Sequence, residues 1–149
     1  MSIEVTSAAF AADSAIPLEF TCEGDDVSPP LAWSRVRDGA QSIAILVEDP
    51  DAPNHPFTHW LITDLPATTT SLPRGAAPPR GASEATNDRG KRGYAGPCPP
   101  SGTHHYHFHV YALDTTIGCP SSKAEFLSKI RDHVVDEGEL VATYAKHRA

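Results

Sequence analysis

The chain has no apolar run long enough to cross a membrane, and its N-terminus lacks the basic start and apolar stretch of a signal peptide. Cysteine is also scarce. Cys22, Cys98 and Cys119 are odd in number and include no close-spaced pair, which argues against a disulfide framework and a zinc knuckle. We therefore predict packing residues or free thiols at these positions and a cytoplasmic location.

Positive charge is limited as well. The formal net charge is −7 and the sequence pI is about 5.5, and no basic stripe is present. An acidic surface of this kind repels nucleic-acid backbones and anionic lipids, so we expect neither nucleic acid nor an integral membrane association. A pocket for a small anion is compatible with this balance, because a few local donors are enough to hold one.

Catalytic signatures are missing too. The sequence contains neither HExxH nor GxSxG, and no serine is placed as an obvious nucleophile. There is no internal repeat, and 149 residues predict a single domain spanning 1–149. Fourteen prolines occur largely in clusters, a pattern that favours long rigid loops over a helical bundle.

The clearest strand is SIAILVEDP, which is rich in β-branched residues and bounded by turn residues. Because side chains alternate along a strand, Ile43, Ile45, Val47 and Asp49 share one face, and Asp49 ends a row that points into the core. HWLITDLP is apolar on both faces, which is typical of a central strand, and His59 is its first residue.

A second alternating run, HHYHFHVYALD, has two distinct faces. One face is predicted to point into the core and contains His104, Tyr106, Phe108, Val110 and Ala112. The opposite face contains His105, His107, His109 and Tyr111. Two such histidines can bind a metal. We favour a sheet surface that faces solvent or a second subunit, and we predict no metal.

The remaining segments are less distinctive. IEVT and IPLEF near the N-terminus are interpreted as strands, and the acids at 23–26 indicate a turn rather than a calcium loop. Residues 66–95 form a long loop whose basic residues we interpret as solvated charge. SSKAEFLSKIRDHVV predicts a helix capped by Ser121 or Ser122, with Phe126, Leu127, Ile130 and Val134 on its apolar face. ELVATYAK fits either a strand or a helical extension.

Polar residues therefore lie at the ends of three apolar strands: Asp49, His59, His104 and Tyr106. With the glycine- and proline-rich loop around Gly96, they predict one shared pocket. Imidazole N–H, phenol O–H and backbone N–H groups are donors that suit phosphate or a phosphomonoester. Asp49 would accept a hydrogen bond from an imidazole, from a protonated phosphate oxygen or from a ligand ammonium group.

At these residues the sequence resembles the phosphatidylethanolamine-binding protein family, also called Raf-kinase-inhibitor-like, and especially its compact bacterial and archaeal branch. The matching motifs are TCEGDDVSPPLAW, DPDAP, HW, ND-G--GY-GPCPP-G, TH-Y and ELVATY, and they span nearly the whole chain. The resemblance implies a mainly β fold, an antiparallel β-sandwich with one main helix near the C-terminus.

The resemblance also implies site residues. The implied ligand-binding residues are Asp49, His59, Gly96, Pro97, His104 and Tyr106. Asp51, Pro53 and Trp60 would shape the pocket rim, and the Ala52–Pro53 bond is expected to be cis. The sequence departs from the family pattern twice: Arg89 stands where many relatives carry Phe, and His105 replaces the usual Arg.

We predict non-enzymatic binding of a small anion, meaning phosphate, a phosphomonoester or a phospholipid head group, with no cofactor. Regulation of a protein kinase or serine protease and a homodimer are implied by the resemblance. One alternative is a metal-assisted hydrolase whose ligands would be Asp49, Asp51, His55, His59 and His104. Another is a protein-interaction module that uses the loop at 73–93.

Overall fold

The computed structural model describes residues 3–53 and 55–146, which form eight strands and one α-helix. The strands are β1 (Glu4–Thr6), β2 (Leu31–Ser34), β3 (Ser42–Asp49), β4 (Phe57–Pro66), β5 (Ser71–Leu72), β6 (Ser83–Glu84), β7 (Thr103–Leu113) and β8 (Val134–Ala145). The helix, α1 (Lys123–Ile130), lies between β7 and β8 in the chain. No helix in these described ranges is both long enough and apolar enough to span a bilayer.

The strands form two antiparallel sheets. A three-stranded sheet has the order β1-β2-β5, and a five-stranded sheet has the order β6-β4-β3-β7-β8. Side chains from both sheets share one buried cluster, which includes Val5 and Trp33 from the small sheet and Ile45 and Phe108 from the large one. The predicted mainly β sandwich with one helix near the C-terminus is therefore confirmed.

The large sheet is also covered on part of its outer face. Phe126 and Ile130 of α1 pack against Ala44 and Leu46 of β3, and Leu61 of β4 belongs to the same cluster. This second layer explains why the runs in β3 and β4 are apolar at almost every position. The helix does not extend over the outward histidines of β7, which stay partly or fully exposed.

The helix starts as predicted and ends earlier. Ser122 is the N-cap, and its hydroxyl accepts a hydrogen bond from the Glu125 N–H at 3.0 Å. The helical conformation stops after Ile130, because Arg131 has ψ 133 and Asp132 has φ 68. Leu127, which was predicted on the apolar face, is 40% exposed. Val134 begins β8, so ELVATYAK is strand, with Lys146 following its end.

Three further expectations were wrong. The IPLEF segment contains a short 3-10 turn at Leu18–Phe20 and no strand. The segment 66–95 is not structureless, since β5 pairs with β2 and β6 pairs with β4. The Ala52–Pro53 bond is trans, as no cis peptide bond occurs within the described residues.

Candidate functional site

A cavity of about 220 Å³ opens where the end of β3, the start of β4 and the start of β7 meet. Antiparallel pairing explains this meeting, because β3 lies between β4 and β7 in the large sheet. The lining residues are Asp49, Ala52, Pro53, Phe57, His59, Arg89, Cys98, Pro99, Pro100, His104 and Tyr106. Four of the six predicted ligand-binding residues thus lie together: Asp49, His59, His104 and Tyr106.

Asp49 holds the ring of His104. His104 Nδ1 lies 2.6 Å from Asp49 Oδ2, and both side chains are buried. The other carboxylate oxygen, Oδ1, accepts a hydrogen bond from the Asp51 N–H at 2.8 Å. Since a carboxylate can only accept, His104 carries a proton on Nδ1, and its Nε2 is left for another partner. Asp49 therefore orients His104.

His59 reaches the cavity through a bulge. Trp60 pairs with Val47 and Thr58 pairs with Glu48, so His59 is an extra residue in β4. It is the third residue of β4 and not the first of a strand as predicted. The bulge brings its ring to 5.3 Å from the ring of Tyr106. Simple alternation would have turned it to the face of Leu61.

His59 presents a hydrogen-bond acceptor to the cavity, whereas the sequence predicts a donor. Its Nδ1 lies 2.6 Å from the carbonyl oxygen of Ala95, which can only accept, so Nδ1 carries the proton. Burial, and to a smaller extent the positive charge of Arg89, lower the pKa of His59 to about 4. At neutral pH the ring is therefore neutral, and Nε2 is a hydrogen-bond acceptor.

Tyr106 brings a donor into the cavity. Its hydroxyl oxygen is buried and has no hydrogen-bond partner within the described part of the chain. Burial is the main cause that raises the pKa of Tyr106 far above its ordinary value, and the negative charge of Asp49 adds to it. The phenol therefore keeps its proton. A buried hydroxyl without a partner is costly, so a ligand or water that accepts from it is expected.

Arg89 is a site residue that the sequence reasoning missed. Its guanidinium Nη2 donates to the Gly96 carbonyl oxygen at 2.9 Å, and Nη1 lies 3.7 Å from Asp26 Oδ2. Its side chain lines the cavity and lies 6.0 Å from the centre of the Phe57 ring. The departure from Phe at this position is the signal in the sequence that points to Arg89, and the interpretation of the basic residues of this segment as solvated charge is wrong for Arg89.

Gly96 and Pro97 lie behind the cavity wall. The Gly96 N–H donates to Asp26 Oδ1 at 2.6 Å, so it is already used. A side chain at Gly96 would meet the Phe20 carbonyl oxygen at 2.4 Å, which explains the need for glycine. The Pro97 carbonyl accepts from the Cys22 N–H at 3.1 Å. Neither residue lines the cavity, in contrast to the expectation, and the lining comes from 98–100.

A disulfide fixes this loop. Cys22 and Cys98 are bonded across 76 positions of sequence, with their Cα atoms 5.4 Å apart. The prediction of packing residues or free thiols was wrong for these two cysteines, and Cys119 is the free one. Sequence spacing could not find the pair, because the fold brings together residues from segments far apart in the chain.

The predicted rim residues have three different environments. Pro53 lines the cavity, as expected. Asp51 is exposed, and its Oδ2 accepts from the N–H of His105 and lies 2.8 Å from His105 Nδ1; the side-chain bond is the main reason that the pKa of Asp51 is lowered. Trp60 is fully buried outside the lining and donates through Nε1 to Glu84 Oε2 at 2.8 Å.

Three of the five ligands of the hydrolase alternative, Asp49, His59 and His104, line the same cavity, but the five do not come close enough together to hold a single ion. His55 Nδ1 lies 2.8 Å from the Pro56 carbonyl oxygen, and the ring is exposed. Asp51 pairs with His105, and His59 Nδ1 faces a carbonyl oxygen. In residues 3–53 and 55–146, the one group of three or more such ligand atoms close enough for a single ion is His107, His109 and Glu139, outside this cavity.

Comparison with known sequences gives one consistent family. The profile of the family described as phosphatidylethanolamine-binding protein matches residues 6–145. A UPF0098 protein of Methanothermobacter thermautotrophicus is 42% identical over 137 residues, covering 88% of this chain and 91% of that protein. A UPF0098 protein of Pyrococcus abyssi is 43% identical over 151 residues, covering 94% and 84%.

Solved structures agree with the sequence comparisons. The crystal structure of CT736, a phosphatidylethanolamine-binding protein homolog of Chlamydia trachomatis, matches with a TM-score of 0.91 at 34% identity, covering 97% of this chain and 98% of that one. The crystal structure of E. coli YbcL, described as a new member of the mammalian family, matches with a TM-score of 0.90 at 34% identity, covering 98% and 99%.

Proposed function

Because the chain belongs to the phosphatidylethanolamine-binding protein family, we propose that its cavity binds a small phosphorylated anion and catalyses no reaction on it. Phosphate, a phosphomonoester and a phospholipid head group share this chemistry. The observation that carries the proposal is the Tyr106 hydroxyl, buried in the cavity lining without a hydrogen-bond partner within the described residues. A ligand oxygen that accepts from this hydroxyl removes the cost of leaving it unpaired.

The other lining groups specify the ligand further. The guanidinium of Arg89 supplies positive charge, and the Tyr106 hydroxyl supplies a neutral donor. His59 presents an acceptor, because its proton is on Nδ1 and is shared with Ala95. The complementary ligand therefore carries both anionic oxygens and one hydrogen. A singly protonated oxygen of phosphate or a phosphomonoester meets this description, and so does the ammonium group beside the phosphate of an ethanolamine head group, whereas sulfate at neutral pH does not.

Size limits the ligand as well. The cavity of about 220 Å³ is smaller than the roughly 300–1,000 Å³ of sites for drug-sized molecules. It suits phosphate or a head group, and it does not enclose acyl chains. A phospholipid would therefore leave its tails outside the cavity.

Titration of phosphate and phosphoethanolamine, followed by calorimetry or NMR, tests the proposal. Tyr106→Phe removes one oxygen atom and is expected to weaken phosphate binding about tenfold or more, since hydrogen bonds to charged groups contribute about 1.5–3 kcal/mol. Tyr111→Phe, on the opposite face of β7, is the matched control and should bind as the unmodified protein does. Unchanged phosphate affinity in Tyr106→Phe would show that phosphate does not bind at the assigned site.

Sulfate provides a second test. We expect phosphate to bind more tightly than sulfate near neutral pH, because His59 Nε2 requires a hydrogen on the ligand. His59→Asn keeps a donor toward Ala95 and loses Nε2, so it should reduce the preference for phosphate. Equal affinity of the unmodified protein for both anions would contradict the role of His59. Turnover of phosphomonoesters or esters by the purified protein would contradict the non-enzymatic role.

Inhibition of a protein kinase or serine protease stays a prediction, and one contact favours it. Arg89 belongs to the segment 73–93, lines the cavity and donates to the Gly96 carbonyl oxygen. An anion that binds Arg89 in the cavity would therefore also influence the position of this segment. Replacing 73–82 by a short Gly-Ser linker preserves β5 and β6. If the intact and the altered chain recover the same partners in pull-downs, with and without phosphate, residues 73–82 are not the interaction surface.

The homodimer and the cytoplasmic location also stay predictions. Light scattering over a range of concentrations tests the first. The cysteine argument for the second no longer applies, because disulfides such as Cys22–Cys98 persist mainly in oxidising compartments. Alkylation of cysteines immediately on cell lysis measures whether this pair is oxidised in the cell.

A further inference from the structure

The outer face of β7 carries a second group of histidines whose surroundings differ from those of the cavity. His107 and His109 lie two positions apart on this face, and their rings stack with centroids 5.9 Å apart. Glu139 in the neighbouring strand β8 lies directly opposite His109. The backbone pairing itself therefore places two imidazoles and one carboxylate on the same patch of sheet.

We propose that His107, His109 and Glu139 form a surface site for a divalent transition-metal ion such as Zn²⁺, with Glu48 orienting His109. Their ligand atoms all lie within 4.8 Å of one another. This proposal reverses the expectation of no metal and is independent of ligand binding in the cavity.

Two of the three separations between the ligand atoms fit one ion. Glu139 Oε2 lies 3.2 Å from His107 Nδ1 and 3.3 Å from His109 Nδ1. Zinc binds nitrogen at about 2.0–2.1 Å and carboxylate oxygen at about 2.0–2.2 Å, so two ligand atoms on a tetrahedral ion lie about 3.4 Å apart. The separations from Glu139 Oε2 are therefore close to the edges of a tetrahedral site. The three ligands leave the fourth position to water.

The other ring nitrogen of His109 supports the assignment. His109 Nε2 lies 3.0 Å from Glu48 Oε2, and Lys123 holds the other oxygen of Glu48 at 2.5 Å. A carboxylate that accepts from Nε2–H leaves the lone pair of Nδ1 available, as in the carboxylate–histidine–zinc arrangement. The Nδ1 atom of His109 faces Glu139 Oε2 at 3.3 Å, on the side of the ring where the ion would lie.

The ligand set selects the class of metal. Two imidazoles and one carboxylate suit zinc, copper or nickel, whereas calcium and magnesium prefer oxygen ligands. The third histidine of this face, His105, is engaged with Asp51 at the cavity rim, so it does not belong to the site. Tyr111 stacks on His109 from the other side, with ring centroids 5.9 Å apart, and limits the movement of that ring.

Calorimetric titration with zinc tests the proposal in a Cys119→Ser background, which removes the exposed thiol. We expect one zinc per chain and at least a tenfold loss of affinity in each of His107→Gln and His109→Gln. Glu48→Gln should lower affinity by about tenfold, as changes to groups that orient metal ligands do. His133→Gln is the matched control, because His133 is an exposed histidine outside the site that pairs with the carboxylate of Asp114, 2.8 Å away.

Two further readouts separate coordination from structural effects. Cobalt should give the visible absorption of a low-symmetry site with nitrogen and oxygen ligands, and magnesium should not bind. In NMR spectra of the otherwise unaltered Cys119→Ser chain, zinc should shift the ring signals of His107 and His109 and spare those of His59 and His104. This measurement decides the question even if His109→Gln fails to fold.

Three outcomes would overturn the proposal. The first is the absence of saturable zinc binding. The second is affinity retained in both His107→Gln and His109→Gln, or lost equally in His133→Gln. The third is a zinc-induced shift confined to the cavity histidines. Phosphate binding in the cavity is measured with zinc-free protein. A negative result there therefore does not affect the zinc test, and a negative zinc test does not affect the proposal for the cavity.

Discussion

Histidines lie on both faces of β7, and those on the inner face differ from those on the outer face in burial and in hydrogen-bond partners. On the inner face, His104 is buried and bonded to Asp49, and it lies beside Tyr106 and His59. On the outer face, His107 and His109 are partly exposed and face Glu139 and Glu48. The inner histidine lines a cavity and contacts one carboxylate, that of Asp49. The outer histidines are open to solvent and contact two carboxylates, those of Glu48 and Glu139. The neighbours of an imidazole decide whether it suits an anion or a cation.

Removal of His104 should have the largest effect on stability. His104→Ala leaves the Asp49 carboxylate buried without its imidazole partner, and breaking such a pair costs about 3–5 kcal/mol. His107→Ala on the outer face should change the free energy of unfolding by less than about 0.5 kcal/mol. Urea denaturation of both variants measures the difference. Equal destabilisation by the two changes would contradict the contrast between the faces.

Loss of the Cys22–Cys98 disulfide should have the second-largest effect on stability. Removing a cross-link of this length costs about 2–4 kcal/mol. Because Cys98 lines the cavity, the Cys22→Ser, Cys98→Ser double variant should also bind phosphate more weakly while it keeps zinc affinity on the outer face. Cys119→Ser is the control and should be close to neutral. A double variant as stable as this control would show that the bond contributes nothing.

The inner face should also respond to mild acid. The pKa of His59 is lowered to about 4 in the folded protein, from an ordinary value of 6.5. Protonation therefore favours the unfolded chain, so the stability contributed by neutral His59 is complete above about pH 6.5 and is lost as the pH falls toward 4. The slope due to this residue reaches about 1.4 kcal/mol per pH unit.

His59→Asn should flatten the dependence of stability on pH between about 6.5 and 4, as followed by urea midpoints. His133→Asn, at an exposed position, should leave the curve unchanged. If His59→Asn and the unmodified protein lose stability in parallel over this range, the neutral buried ring is not the cause.

Removing the positive charge of Arg89 at the cavity should have the smallest effect of these changes, a modest loss of phosphate affinity. The side chain of Arg89 is 32% exposed, so solvent screens its charge. Arg89→Gln is expected to weaken phosphate binding about fivefold, and more at low salt than at high salt. Lys123→Gln, which removes the cation next to Glu48 on the outer face, should leave phosphate affinity unchanged. Equal effects would mean that long-range charge, and not position, attracts the anion.

Alternation predicted much of the inner face correctly. Ile43, Ile45 and Val47 are buried together and Asp49 follows them at the cavity, while Tyr106 and Phe108 point inward. These placements follow from the period of two along a strand, which is a local property. The same reasoning could not place His59, because a bulge depends on the register between β3 and β4. The family resemblance implied a rim position for Trp60, although it is fully buried.

The alternating pattern of the apolar residues and the turn residues between them were sufficient to predict the main strands, because these are local preferences of the backbone. The arrangement of the strands as an antiparallel sandwich followed from the family resemblance. The polar ends of β3 and β7 could likewise be identified from the sequence. The Cys22–Cys98 bond, Arg89 in the cavity wall, the occupied N–H of Gly96 and the Glu139 carboxylate beside His109 depended on tertiary structure. Each joins segments that the fold brings together, and no local preference encodes which atoms then face each other.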